Sequence, residues 1–136
     1  MKPINPAILD KLLQLAKKAA SYAYAPYSKF KVGAALITEN EHYFSGCNVE
    51  NASYGLALCA ERNALSTMIA QGEKTFMALV VYSPNTANCY PCGACRQWLQ
   101  EFGPDATIIV FDDNHKPVLK SVKDLLPDAF GPEKLL

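Results

Sequence analysis

Two short segments of this sequence combine cysteine and glutamate at spacings that suit metal chemistry. They are Cys59-Ala60-Glu61-Arg62 and Pro91-Cys92-Gly93-Ala94-Cys95. Each precedes a stretch with apolar residues at helical spacing, so we expect each segment to open a helix. Cysteines at positions i and i+3 of a first helical turn project to the same side, and the positive helix end favours their thiolate form. The sequence therefore predicts a thiolate metal site between two helix N-termini.

Zinc is the metal that such ligands favour, because it binds soft thiolates at ~2.3 Å in a tetrahedron. If Cys59, Cys92 and Cys95 are the ligands, a fourth position stays open for water, which is typical of catalytic zinc sites. Glu61 is then the candidate acid and base. It follows Cys59 by two residues, roughly 200° around an ideal helix, so both reach one ion only if the ion lies beyond the helix N-terminus.

Other interpretations of the same residues stay open at this point. Cys89 precedes Cys92 by three residues, so a closed four-thiolate structural zinc in a binding module is possible. An iron–sulfur site is less favoured, since Leu99 stands where a fourth regularly spaced cysteine would be needed. Cys92 and Cys95 alone could form a redox pair. Glu61 alone could serve only to stabilise the helix dipole.

Size, charge and composition favour a small soluble domain that acts on a small molecule. The chain has 136 residues, half of them hydrophobic, and we expect residues 1–136 to form a single domain. Thirteen basic residues balance thirteen acidic ones, whereas proteins that grip nucleic acid usually carry a basic excess. The amphipathic N-terminus does not resemble a secretory signal, and no run reaches the ~20 apolar residues of a membrane span. We therefore expect a cytoplasmic protein with reduced cysteines.

Hydrophobic periodicity predicts helices alternating with strands. The predicted helices cover residues 8–20, 58–70 and 92–102, with a short helical turn at 122–126; the predicted strands cover 30–37, 43–49, 77–82, 107–111 and 117–119. The first two strands are joined by a short turn and form a hairpin, whereas the later ones alternate with helices. This order indicates an α/β fold with a mixed sheet.

Five longer stretches of the sequence, two of which contain the cysteine segments, together resemble one protein family. The stretches A-P-Y-S-K-F-K-V-G-A-A-L, G-C-N-V-E-N-A-S-Y-G, C-A-E-R-N-A-L, P-C-G-A-C-R-Q and L-L-P-D-A-F occur in this order between Tyr24 and Phe130. Together they resemble cytidine deaminases of the short, three-cysteine type. C-A-E…P-C-x-x-C resembles the signature of zinc deaminases, with Cys59 where other deaminases have histidine. The resemblance implies a three-layer αβα sandwich with a five-stranded mixed sheet. It also implies a homotetramer whose active sites are completed by neighbouring subunits.

The resemblance further implies the chemistry of the site. One zinc ion per subunit would be held by Cys59, Cys92 and Cys95, and hydroxide on the zinc would add to C4 of cytidine or deoxycytidine. Glu61 would protonate N3 and then carry a proton to the departing amine, giving uridine or deoxyuridine plus ammonia, a step of pyrimidine salvage. Arg62 would hydrogen-bond the zinc thiolates, with Arg96 as a weaker second choice.

The resemblance also supplies candidate substrate contacts. Asn48 and Glu50 leave one face at the end of a predicted strand, and similar family positions bind the sugar 3′-hydroxyl. Without the resemblance, Asn48 and Glu50 would be interpreted as turn residues at the end of a strand. Phe30, which opens an apolar strand, would be interpreted as a core residue. A free base, an aminonucleoside antibiotic or a polynucleotide are alternative substrates, but zero net charge and a carboxylate beside the sugar favour an unphosphorylated nucleoside. The full set of implied contacts is Phe30 against the pyrimidine, Asn48, Glu50, the main chain of Ala52, the side chain of Tyr54, and Phe130 closing the pocket.

Overall fold

A computed structural model describes residues 3–136 and contains a mixed sheet with strand order β2-β1-β3-β4-β5. Only β3 and β4 are parallel; the other neighbouring strands are antiparallel. The mixed, five-stranded α/β fold is thus confirmed. The helices are α1 (Pro6–Ser21), α2 (Ala60–Ala70), α3 (Gly93–Phe102) and α4 (Val122–Leu125), the strands are β1 (Gly33–Thr38), β2 (Tyr43–Cys47), β3 (Phe76–Tyr82), β4 (Thr107–Phe111) and β5 (Pro117–Ser121), and short 3₁₀ turns cover Tyr54–Leu56 and Pro132–Lys134.

The sheet is covered by helices on both faces, as the three-layer prediction requires. Strand β1 shows this directly: Ala34 and Leu36 belong to the core beneath α2, α3 and α4, while Ala35 and Ile37 belong to the core beneath α1. Successive side chains of a strand point to opposite faces, so a strand buried on both sides becomes a continuous apolar run. Among the described residues, no helix has both the length and the hydropathy to cross a membrane.

Helix α1 lies unusually close to the sheet. It begins after Asn5, whose side-chain Oδ1 accepts a hydrogen bond from Ala7 N at 2.8 Å. At Gly33 of β1, an added Cβ would stand 1.9 Å from the backbone oxygen of Ala16 in α1. Glycine is therefore required at the start of β1 for the helix to pack against the strand.

The predicted strand over residues 30–37 is wrong at its first three positions, because β1 begins only at Gly33. The preceding residues are held by polar side chains rather than by a strand ladder. Lys31 N donates to Asn85 Oδ1 at 2.8 Å, and Lys31 O accepts from the Ser83 hydroxyl at 2.6 Å. These bonds satisfy the backbone without a neighbouring strand, so Phe30 lies on an irregular segment outside the sheet.

A polar cluster joins the β1–β2 turn to the segment that follows α2. Glu73 accepts from Asn40 Nδ2 at 3.1 Å, and its Oε2 lies 2.5 Å from His42 Nδ1. The hydrogen bond from the Thr38 hydroxyl contributes most to lowering the pKa of Glu73 from its ordinary value, and the His42 and Asn40 bonds lower it further. The ionised form of Glu73 therefore stabilises this junction.

Candidate active site

Three cysteine sulfurs meet where α2 and α3 begin. Cys59 and Cys92 are the N-cap residues of α2 and α3, and Cys95 lies in the first turn of α3. Neither N-cap side chain makes a capping hydrogen bond, so both sulfurs are available to a ligand. The three Sγ atoms all lie within 4.8 Å of one another, with Cys92 Sγ and Cys95 Sγ 3.6 Å apart. We call this group the three-sulfur cluster.

The spacing of the three-sulfur cluster fits a zinc ion. Zinc–sulfur bonds of ~2.3 Å in a tetrahedron place the sulfurs about 3.8 Å apart, close to the 3.6 Å between Cys92 Sγ and Cys95 Sγ. Within residues 3–136, the cluster has three members and does not include Cys89. The arrangement therefore agrees with the predicted three-cysteine ligand set and argues against a closed four-thiolate site.

The surroundings of the cluster favour the thiolate form of Cys59. The Cys95 thiol donates to Cys59 Sγ, and this contact does most to lower the pKa of Cys59 to about 5, while the same contact raises the pKa of Cys95. Arg62 Nη2 donates to Cys59 Sγ at 3.3 Å and lowers the pKa of Cys59 further. Arg62 thus contacts the cluster as predicted from the resemblance.

Arg96, the weaker second choice for that role, hydrogen-bonds main-chain carbonyls in the described chain. Its Nε donates to Pro91 O at 2.8 Å, and its Nη1 donates to Leu125 O at 3.0 Å. Both partners are backbone carbonyls, so these bonds tie the loop before Cys92 to α4. Arg96 therefore braces the metal loop from outside and makes no hydrogen bond to a sulfur.

Glu61 lies beside the cluster, buried to 5% exposure. Burial raises the pKa of Glu61 to about 7, and the negative charge of Cys59 adds to the rise. A hydrogen bond from the Glu61 backbone N–H acts in the opposite direction. Because Cys59 is the N-cap residue, its sulfur sits at the end of α2 and not on the helix flank. This is the geometry that the two-residue spacing required. Burial raises the pKa of Cys89 to about 11, and the nearby negative charge of Glu61 adds to this rise.

The predicted sugar contacts lie on a segment attached to the cluster by a short β-bridge. Val49 N donates to Leu58 O at 2.9 Å, and Leu58 N donates to Val49 O at 2.8 Å. This bridge lies between Asn48 and Glu50 on one strand and immediately precedes Cys59 on the other. The metal ligand and the two polar residues are therefore fixed relative to each other by main-chain hydrogen bonds.

Asn48 and Glu50 both bind the irregular segment that carries Phe30. Asn48 Nδ2 donates to Phe30 O at 2.7 Å, and Asn48 Oδ1 accepts from Val32 N at 2.9 Å. Glu50 accepts from the Ser28 hydroxyl, which does most to lower the pKa of Glu50 below its ordinary value. The two residues thus support Phe30 as well as offering polar groups to a ligand.

The remaining predicted contacts are exposed in the single chain. Tyr54 is 76% exposed, and its ring centroid lies 5.7 Å from that of Tyr27 with the ring planes tilted by 56°. Phe130 is 58% exposed, and its main-chain oxygen accepts a hydrogen bond from Gln97 Nε2 at 2.8 Å. Ala52 is also exposed. A cavity of about 330 Å³ brings Glu50 and Tyr54 together and does not include Phe30, Ala52 or Phe130; it is lined by Tyr27, Ser28, Glu50, Asn51, Tyr54 and Ala57.

Sequence reasoning missed Tyr27 and Ser28 as parts of this site. Tyr27 N donates to Glu50 Oε1 at 3.0 Å, and Ser28 N donates to the same oxygen at 3.2 Å. Both residues stand in the A-P-Y-S-K-F stretch, where their nearness to Phe30 was the available signal. Nothing in the sequence pairs them with Glu50, which lies more than twenty residues further along the chain.

Comparison with protein families agrees with this geometry. Residues 7–111 match the family described as the cytidine and deoxycytidylate deaminase zinc-binding region. A probable cytidine deaminase of Dictyostelium discoideum is 40% identical over 134 residues, covering 98% of this chain and 90% of that protein. A cytidine deaminase of Sporosarcina psychrophila is 42% identical over 129 residues, covering 93% and 94% of the two chains.

Solved structures show the same likeness. The crystal structure of cytidine deaminase from Burkholderia pseudomallei has 48% sequence identity and a TM-score of 0.84, covering 89% of this chain and 98% of that one. The corresponding Mycobacterium tuberculosis structure has 41% identity and a TM-score of 0.79, covering 90% and 97%. The likeness in fold therefore covers about nine-tenths of this chain.

Proposed function

This chain belongs to the zinc-dependent cytidine deaminases, and we propose that the three-sulfur cluster and Glu61 perform its hydrolytic reaction. The reaction converts cytidine to uridine, and deoxycytidine to deoxyuridine, with release of ammonia. The observation that carries the assignment is the meeting of three sulfurs within 4.8 Å beside a buried glutamate whose pKa is raised to about 7. A structural zinc site needs only its four ligands and does not require a buried glutamate that can exchange a proton near pH 7.

Cys59, Cys92 and Cys95 hold the zinc ion in this proposal. When bound, zinc supplies Lewis-acid activation of water at neutral pH. Three thiolates outweigh the charge of the ion by one unit, and Arg62 offsets part of this excess through its hydrogen bond to Cys59. The ligands and the arginine come from two helix ends that the sheet holds together, so the site is preorganised for the ion.

Glu61 moves the protons. With a pKa of about 7, its carboxylate accepts the proton of the attacking water and donates it to N3 of the cytosine ring. A second proton transfer, from the C4 hydroxyl through Glu61 to the departing amino nitrogen, releases ammonia and leaves the C4 carbonyl. Its burial keeps bulk water from competing for these protons.

Substrate binding is assigned to the segment around the β-bridge. Phe30 lies against the pyrimidine, while Asn48 and Glu50 bind the sugar 3′-hydroxyl. The Ala52 main chain and the Tyr54 side chain hold base and sugar, and Phe130 closes the pocket. The close support of Phe30 by Asn48 argues for one connected site.

In this proposal the protein is a homotetramer with shared active sites, and the exposure of these contacts supports it. Tyr54 and Phe130 are more than half exposed in the single chain, as are Tyr22 and Leu56. Exposed aromatic and aliphatic residues near a site are typical of a surface that another subunit covers. Light scattering coupled to a sizing column tests this, and a fully active monomer would contradict it. We also take residues 1–136 as one domain in the cytoplasm; residues 1–2 lie outside those described.

The function is tested by ultraviolet absorbance. Purified protein with one zinc equivalent is mixed with cytidine, deoxycytidine, cytosine or a cytosine-containing single-stranded oligonucleotide. We expect absorbance changes with the two nucleosides only. Glu61→Gln, which keeps the shape of the side chain, should retain zinc and lose about 10²- to 10⁴-fold in kcat. Turnover of the oligonucleotide alone, or equal rates in the Gln variant, would contradict the proposal.

A further inference from the structure

Ser28 lies between two of the proposed substrate contacts. Its hydroxyl donates to Glu50 Oε2 and also accepts from Phe30 N at 3.0 Å. Its backbone N–H donates to Glu50 Oε1 at 3.2 Å. One residue therefore contacts the carboxylate on the sugar side and the main chain on the base side.

The hydrogen bonds to Glu50 leave it one acceptor position. A carboxylate offers about four lone-pair positions, two on each oxygen. Oε1 accepts from the backbone N–H groups of Tyr27 and Ser28, and Oε2 accepts from the Ser28 hydroxyl. The one remaining position is on Oε2, and the carboxylate borders the cavity of about 330 Å³ that Tyr54 also lines. Because the Ser28 hydroxyl holds Oε2, it fixes the direction of the free acceptor position on that oxygen.

Within residues 3–136, the Ser28 hydroxyl is the hydrogen-bond acceptor for Phe30 N. The segment before β1 lies outside the sheet, and Lys29 between Ser28 and Phe30 has a left-handed backbone with φ 61°. That conformation is unfavourable for a lysine, so neighbouring contacts must hold it. The bond from Phe30 N to the Ser28 hydroxyl closes this turn.

We propose that Ser28 is a positioning residue for substrate selectivity. It directs the free acceptor position of Glu50 at the sugar 3′-hydroxyl and fixes Phe30 at the matching distance for the base. The inference rests on the proposed function, because Ser28 acts only through the proposed substrate contacts Glu50 and Phe30. Ser28 itself does not touch the reacting atoms. Losing the hydroxyl should therefore weaken recognition of the sugar more than the chemical step.

The test compares cytidine with 3′-deoxycytidine in Ser28→Ala, Ser28→Thr and the zinc-loaded parent protein. For Ser28→Ala we expect KM for cytidine to rise about tenfold with kcat changed less than about threefold. The preference for cytidine over 3′-deoxycytidine, as a ratio of kcat/KM values, should fall by a similar factor. Ser28→Thr keeps the hydroxyl and should restore the ratio to within about threefold. Ser21→Ala is the matched control, because the Ser21 hydroxyl bonds only Lys18 O at the end of α1.

The outcomes separate this inference from the function itself. Turnover of cytidine by the parent protein and by Ser21→Ala establishes the activity on which the test depends. An equal loss on both substrates in Ser28→Ala, or an unchanged KM, would overturn the positioning role. If Ser28→Ala does not fold by circular dichroism, Ser28→Cys gives the same comparison, because its thiol is a weaker donor of similar size. An intermediate ratio then supports the role, and a parent-like ratio overturns it.

Discussion

Replacing Arg62 with alanine tests whether a cation must accompany a three-thiolate zinc. Arg62 Nη2 donates to Cys59 Sγ at 3.3 Å, and Arg62 Nε is buried with no hydrogen-bond partner in the described chain. Hydrogen bonds to a charged partner contribute about 1.5–3 kcal/mol, which corresponds to roughly 10- to 100-fold in affinity. Residues that support metal ligands usually act within the same range. We therefore expect Arg62→Ala to weaken zinc binding by about 10- to 100-fold.

The assay is competition for zinc against a chromogenic chelator, followed by kinetics at saturating zinc. Arg62→Lys keeps the charge but not the planar group, and it should lose less than Arg62→Ala. Lys123→Ala serves as the matched control, because Lys123 pairs with Asp105 on the exposed surface, where both side chains are more than two-thirds accessible. The rate at saturating zinc should also fall in Arg62→Ala, since the uncompensated thiolates weaken the Lewis acid. Equal zinc affinity and an unchanged pH–rate profile would refute the reasoning.

Three other substitutions test separate features of the structure. Cys89→Ser should keep both zinc stoichiometry and turnover by metal analysis and absorbance, because Cys89 is outside the three-sulfur cluster; loss of the metal would contradict this. Gly33→Ala should destabilise the fold by roughly 1–3 kcal/mol or more in urea, since its Cβ would stand 1.9 Å from Ala16 O, whereas Gly55→Ala has no atom within 4 Å and should be near neutral. Glu73→Gln should lower the thermal midpoint at neutral pH. Because the pKa of Glu73 is lowered in the folded state, that stabilisation is present above the ordinary value of 4.5 and is lost as pH falls through the lowered pKa; a difference that persists in strong acid would contradict the assignment.

The sequence by itself indicated a thiolate metal site at two helix starts and a mixed α/β sheet. Cys92 and Cys95 are three residues apart at a helix start, and this local geometry needs little help from the rest of the chain. The alternating strands and helices predicted a mixed α/β sheet, since continuous apolar runs such as residues 77–82 have to be buried on both faces. The wider resemblance then favoured the three-cysteine catalytic site over the structural and redox alternatives and named the chemistry.

Only the tertiary structure decided which polar groups support one another. Residues 30–32 are apolar enough for a strand, yet hydrogen bonds with the side chains of Asn48, Ser83 and Asn85 replace the strand ladder there. Arg62 and Arg96 are both arginines on the first turns of their helices, yet one contacts a sulfur and the other contacts two carbonyls. Such pairings depend on direction and distance between segments far apart in the chain, which residue types and local periodicity do not encode. Cys92 and Cys95 could be paired from the sequence because their geometry is local, and the resemblance pointed to Arg62. The carbonyl partners of Arg96 and the side chains that hold Phe30 could not be predicted, because they come from distant segments of the chain.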